Sequence, residues 1–219
     1  MDDNWARRSP SEILYSYRHG LLEGDDCVVS CGSCTSCCES GLAICIDASE
    51  VETLNSIPQE QVVEILDLPY KHFHLEPVVG RCPMFLESHC TIYDTRPRAC
   101  RQFDCRTIAL TESQPPGETD SKLTNKIEDF LITDPWRDDE IGQVALQRAR
   151  NIYQKQRAFF IALNIQESSA DEVMAIVVLF GILRGEISEP SSDEEVLRDF
   201  LDQFRTWRAK RVREQRNLA

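Results

Sequence analysis

The sequence predicts a mostly α protein: a small, irregular, cysteine-rich metal-binding domain with short strands, followed by a helical C-terminal region. Three observations carry this prediction. All 10 cysteines fall at or before Cys105, leaving the second half without one. The segment Thr111-Glu112-Ser113-Gln114-Pro115-Pro116-Gly117-Glu118 resists both helix and sheet and reads as a linker. Beyond it the chain offers long helical stretches with their own start signals. The expected domains are therefore 1–111, cysteine-rich and metal-binding, and 121–219, helical.

The elements follow in order. Ser9-Pro10-Ser11-Glu12 is a capping box with proline at the first helical position, and it opens a helix expected to stop near Gly20. Residues 42–46 read as a strand, and Asp47-Ala48-Ser49-Glu50 as the start of a helix. A second short helix is expected after Pro58, with Val62, Val63, Ile65 and Leu66 as its apolar face and Pro69 as its end. From 78 to 106 the chain is rich in Cys, Pro and Arg with little periodicity, which predicts loops, short strands and one short helix after Pro97. Three helices are read in the second half. The first runs from near Asp134-Pro135 to about Asn164, and the second over 170–184. The third opens on the capping box Ser192-Asp193-Glu194-Glu195 and ends among Arg208, Lys210, Arg211, Arg213 and Arg216. Acid at its start and base at its end suit the helix dipole, which accounts for the basic stretch without a partner.

Composition narrows the function. Acidic residues number 37 against 24 basic, a formal charge of −13 that repels phosphate backbones and anionic lipid surfaces. Neither nucleic acid nor a membrane is an expected partner. The strongest apolar run, 174–183, is about half of the ~20 residues a bilayer-spanning helix needs, so it reads as a buried helix. Acid leads the N-terminus with no apolar stretch behind it, which predicts no secretory leader. So many cysteines without an export signal point to a reducing compartment, the cytoplasm, where clustered thiols hold metal more often than they form disulfides.

Cys31-Gly32-Ser33-Cys34-Thr35-Ser36-Cys37-Cys38 packs four thiols into eight residues separated by small ones. Two C-x-x-C turns in register let sulfurs converge on a soft metal while the backbone N–H groups of the small residues stay free to hydrogen-bond them. Adjacent side chains of extended backbone point to opposite sides, so Cys37 and Cys38 are not expected to face one metal together. The second stretch is Cys82-Pro83-Met84-Phe85-Leu86, Cys90, and Ile92-Tyr93-Asp94-Thr95-Arg96-Pro97-Arg98-Ala99-Cys100-Arg101-Gln102-Phe103-Asp104-Cys105.

Together the two stretches resemble the CxxCxxCC (YkgJ-like) family of cysteine-cluster proteins, described as zinc- or iron-chelating domains. The likeness covers roughly 31–106. It implies as metal ligands Cys31, Cys34, Cys37, Cys38, Cys82, Cys90, Cys100 and Cys105, and as cofactor an iron-sulfur cluster or Zn. Eight thiols allow one four-thiolate site with four spare cysteines, or two such sites; one main site is the expectation. Four thiolates around Zn²⁺ or a [4Fe-4S]²⁺ core leave a charge of about −2, which Arg96, Arg98 and Arg101 are placed to offset.

The remaining candidates have plainer readings. Cys27 and Cys45 read as small buried apolar residues. His72, His74 and His89 read as surface or core histidines, Tyr93 as packing on its loop, and Arg96 as paired with Asp94, Asp104 or a thiolate. Function is thus expected to be metal binding, with the helical region offering a surface to a protein partner. The alternative is a cluster-dependent enzyme. Flagellin lysine N-methylases resemble the family in the same cysteine region, which implies methyl transfer from S-adenosylmethionine, yet no glycine-rich strand-turn-helix element is present to bind that cofactor. A redox protein is the further possibility, without a flavin or nicotinamide fingerprint in the chain.

Overall fold

A computed structural model describes residues 8–27, 34–65, 72–113, 122–132, 135–165, 169–185 and 192–216. Among these, nine α-helices and five short strands confirm the mostly α class. Helix α1 (Pro10–Glu23) starts on the capping box read from sequence: Glu12 N–H donates to Ser9 Oγ at 3.3 Å, and Ser9 N–H donates to Glu12 Oε2 at 2.8 Å. It does not stop at Gly20. The helix continues one turn further and ends at Gly24, whose φ of 92° supplies the left-handed cap that only glycine adopts without strain. Replacing Ser9 by alanine removes one reciprocal bond and is expected to lower stability by about 1 kcal/mol, read as a drop of about 2–4 °C in the thermal midpoint.

Strands β1 (Ile44–Asp47), β2 (Val62–Ile65) and β3 (His72–Leu75) form an antiparallel sheet in the order β1-β3-β2. Helix α2 (Val51–Ser56) and a 3-10 turn over Gln59–Gln61 connect β1 to β2. Here the expected helix after Pro58 is corrected to a strand. Val62-Val63-Glu64-Ile65 is β-branched at three of four positions, and pairing of Val62 with Leu75 and Ile65 with His72 overrides the weak helical spacing. Leu66 and Pro69, the rest of that predicted helix, lie outside the described residues. Strands β4 (Phe85–Leu86) and β5 (His89–Cys90) form a hairpin whose two turn residues, Glu87 and Ser88, have φ of 46° and 68°. Helix α3 (Arg98–Gln102) follows Pro97 as predicted, and α4 (Cys105–Thr111) follows directly.

The second half contains α5 (Lys122–Ile132), α6 (Glu140–Lys155), α7 (Arg157–Ala162), α8 (Ser169–Gly185) and α9 (Asp193–Arg216). Helix α5 has no counterpart in the sequence reading, and the single helix expected from 134 to 164 is two, broken at Gln156 and closed by Asn164 at φ 58°. Helix α9 opens on its capping box, with Glu195 N–H donating to Ser192 Oγ at 3.3 Å and Ser192 N–H to Glu195 Oε2 at 3.0 Å.

Two apolar cores result. The larger is built around α8, which is apolar on all sides and packs on α1, α4, α6 and α9. Phe160, Phe180 and Phe200 in it are fully buried. Ile13 and Leu14 of α1 and Ile108 and Leu110 of α4 belong to this same core. Residues 114–121 of the proline-rich linker lie outside the described residues; the helices flanking it, α4 and α5, pack together. The smaller core comprises Ile46, Ile57, Leu75, Cys82, Met84 and Ile92, on one face of the three-stranded sheet. Among the described residues no helix is long and apolar enough to cross a membrane.

Candidate metal centre

The two cysteine stretches meet. Cys82 N–H donates to Cys38 O at 2.9 Å, tying the first stretch to the second across more than forty residues of chain. Gly41 and Gly80 make this approach possible: Gly41 has φ 64°, and a Cβ on it would lie 3.3 Å from Gly80 Cα. Val79 and Gly80 form a two-residue turn with φ of 51° and 71°, closed by Val78 N–H to Arg81 O at 2.8 Å, which delivers Cys82 to the small core.

Four thiols share this neighbourhood. Cys38 and Cys90 pack against the small core, and Cys82 is part of it. Cys100 joins from α3. Burial raises its pKa, and the Cys82, Cys38 and Cys90 sulfurs raise it further, while the Arg96 guanidinium works in the opposite direction. Cys38 is pushed up to about 11 by burial first, then by Cys82 and Cys90. Cys82 is raised chiefly by burial, opposed by backbone hydrogen bonds from Met84 and Phe85. Those N–H groups stabilise negative sulfur, so the Cys82-Pro83-Met84-Phe85 turn is shaped for a thiolate.

The other predicted ligands part from this set. Cys37 packs against the large helical core, in which Cys105 is buried, so Cys37 and Cys38 diverge as neighbours in the chain should. Cys34 is exposed, its thiol 3.4 Å from Ser36 Oγ, within electrostatic reach of Cys38. Cys31 lies outside the described residues. No described cysteine is in a disulfide. As they stand, no three His, Cys, Asp or Glu side chains among the described residues are gathered into a ready-made metal shell. What the fold supplies is a soft, partly buried sulfur donor set with opposing N–H groups and one guanidinium. That chemistry fits a thiophilic metal.

Comparison with known proteins agrees on the chemistry. Residues 30–127 match the family CxxCxxCC, putative zinc- or iron-chelating domain. Over these residues the chain is similar to that family. No curated protein and no solved structure matches the chain. The matched region takes in both cysteine stretches and extends through α4 into α5.

Of the three arginines placed by sequence around the CxxCxxCC thiols, one remains there. Arg96 lies over the Tyr93 ring at 4.0 Å, donates to Tyr93 O at 2.8 Å and reaches Cys100. Its expected partner Asp104 is held by Arg106 instead. Arg101 pairs with Asp26 at 2.8 Å, and Arg98 turns toward α9. His89 is exposed and bonded locally to Glu87 O. Cys27 is half-buried, its thiol 3.7 Å from Ser16 O and pushed up to about 12, mainly by burial.

The three-stranded sheet has a second, polar face, where the reading of Cys45 is corrected. Alternation on β1 turns Ile46 into the small core and Cys45 away from it, so Cys45 is exposed, with its sulfur 3.1 Å from His74 Nε2 on the facing strand. His72 shares that face, and burial holds its pKa below the ordinary value of 6.5. The unfolded chain therefore takes up a proton before the folded one as pH falls below about 6.5, and stability drops through that window. Denaturant titration at pH 7.5 and 5.5 is expected to show this loss, and His72→Gln to reduce the difference between the two.

Proposed function

We propose that the chain is a metal-chelating protein that holds a single zinc or iron ion through Cys38, Cys82, Cys90 and Cys100. The observation that carries the reading is the grouping of these thiols from separate parts of the chain: Cys38, Cys82 and Cys90 at one small apolar core, and Cys100 of α3 within electrostatic reach of all three. Four ligands are what a closed tetrahedral thiolate site uses. Of the other four cysteines that the resemblance implied as ligands, Cys37 and Cys105 belong with the other core. The bound metal supplies positive charge that keeps buried sulfur deprotonated. Arg96 and the N–H groups of Met84 and Phe85 stabilise the sulfurs' negative charge, and the small core shields them from water. Four thiolates with no open position favour holding a metal over catalysis at it, and leave α5 to α9 to contact a protein partner.

Anaerobic purification with metal analysis, acid-labile sulfide assay and a visible spectrum tests the reading. The expected result is one equivalent of zinc or iron without sulfide. A brown protein with stoichiometric sulfide would replace the single ion by an iron-sulfur cluster, and a metal-free protein with all its thiols reactive would end the proposal. Because Cys38, Cys82 and Cys100 all sit above the ordinary thiol value, metal entry at neutral pH must displace their protons. Adding Zn²⁺ to the reduced apoprotein in weak buffer is expected to release about four protons per metal, one for each thiol, since ordinary thiols too are protonated at neutral pH, and affinity is expected to rise with pH.

A further inference from the structure

A second cleft lies on the polar face of the sheet, away from the thiol set. It encloses about 180 Å³ between β1, β3, α3 and α9, and both Arg98 and Arg211 line it. The charges around it are unevenly engaged. Both carboxylate oxygens of Glu50 accept backbone N–H groups, Oε1 from Asp47 at 2.9 Å and Oε2 from Arg98 at 2.5 Å. Asp47 accepts the Ser49 N–H at 2.8 Å and has a further partner. Among the described residues the two guanidinium groups have neither an ion pair nor a hydrogen bond. Arg211 sits 5.8 Å from the centre of the Trp207 ring; burial lowers its pKa and so does the charge of Arg98, while Asp47, Glu214 and Glu50 act in the opposite direction.

Asp47 and Glu50 in the cleft offset the charge of Arg98 and Arg211, but the oxygens of Glu50 are taken up by backbone N–H groups, so the guanidinium donors stay open to a ligand. A planar guanidinium pair matches the oxygens of a carboxylate or phosphate, and bidentate contacts of that kind are about twice as strong as neutral ones. Trp207 forms one wall and is fixed in place, its indole N–H donating to Leu21 O at 2.8 Å at the end of α1. Lys210 braces the same junction, donating to Glu23 O at 3.1 Å. The cleft therefore offers an oxyanion grip next to a rigid aromatic face.

We propose that this cleft binds a small organic oxyanion, a carboxylate or phosphate carried on a flat group, with Arg98 and Arg211 holding the charge and Trp207 covering the flat part. The site is separate from the metal centre, although α3 borders both through Arg98 and Cys100.

Calorimetric titration of the full-length protein at constant ionic strength tests it, with phenyl phosphate, benzoate and inorganic phosphate as probes. Saturable binding is expected, tightest for phenyl phosphate. Arg98→Gln and Arg211→Gln should each weaken it at least ten-fold, while Arg208→Gln, on the same helix outside the cleft, should leave it unchanged. A measurement on the unaltered chain guards against misfolded variants. Cys45 lines the cleft, so bound phenyl phosphate should slow its alkylation by iodoacetamide several-fold, read by peptide mass spectrometry. No saturable binding of any probe, binding that survives the paired Arg98→Gln and Arg211→Gln substitution, or Cys45 alkylation indifferent to the probe would each overturn the proposal.

Discussion

Serine in place of Cys82 or Cys100 is expected to reduce bound metal below about a tenth of an equivalent and to unfold the small core while the helices persist. Apparent folding free energies from structural zinc run to about 10–16 kcal/mol, comparable to the whole stability of an ordinary domain. The small core contains only Ile46, Ile57, Leu75, Cys82, Met84 and Ile92 as buried apolar residues, and its strands are two to four residues long. Such strands are marginal without a further constraint. The larger core rests on α8 and its fully buried aromatic neighbours, which form a cluster separate from the small core, so it has its own source of stability.

Hydrogen exchange separates the two halves of this expectation. Amides of β1, β3, β4 and β5 should lose protection in Cys82→Ser, while those of α6, α8 and α9 keep theirs. Cys27→Ser and Cys45→Ser are the matched controls, since one thiol bonds to Ser16 O and the other to His74, away from the set. Both should retain full metal. Cys105→Ala should do so too, because Cys105 is buried in the helical core. A Cys82→Ser or Cys100→Ser protein that keeps a full equivalent of metal would remove these residues from the site. Half occupancy in Cys105→Ala, from two equivalents in the parent, would establish a second centre.

What could be read in advance divides by whether the deciding contact is local. The boxes at Ser9 and Ser192 and the proline start of α3 depend on atoms three or four residues apart, and they were legible. So was the apolar run within α8, whose lack of a polar side demands burial. Residues 62–65 were misread because the choice between helix and strand is made by β3, which follows a segment with its own turn signals. The break at Gln156 has neither glycine nor proline to mark it. In the site, the meeting of the two cysteine stretches was legible from their motifs, whereas the separation of Cys37 from Cys38 into different cores was legible only as divergence. Cys45 was misjudged because burial depends on which face of the sheet meets a core, and a four-residue strand does not reveal that.

Asp104→Ala is expected to cost about 3–5 kcal/mol, lowering the thermal midpoint by about 6–20 °C, although Asp104 is not one of the proposed ligands. Its carboxylate caps α4 by accepting Arg106 N–H at 3.0 Å, then grips the same residue's guanidinium through Nε at 2.9 Å and a terminal nitrogen at 2.7 Å. Both side chains are only 3% exposed, so truncation leaves a positive charge out of water without its forked partner and removes the cap of α4 in the same step. The charge has neighbours too: Asp104 helps raise the pKa of both Cys27 and Tyr17, which places it at the seam between α1, α3 and α4. Asp104→Asn keeps the shape and a capping oxygen but not the charge, and should fall between Asp104→Ala and the parent. The paired replacement Asp104→Ala with Arg106→Met separates a lost attraction from a stranded charge. Removing the guanidinium as well should recover part of the loss, because a buried pair exchanged for apolar groups is cheaper than a pair cut in half. A double variant that melts below Asp104→Ala would show that the pair matters for something other than its charges. A single variant within about 1 kcal/mol of the parent would show that water reaches Arg106.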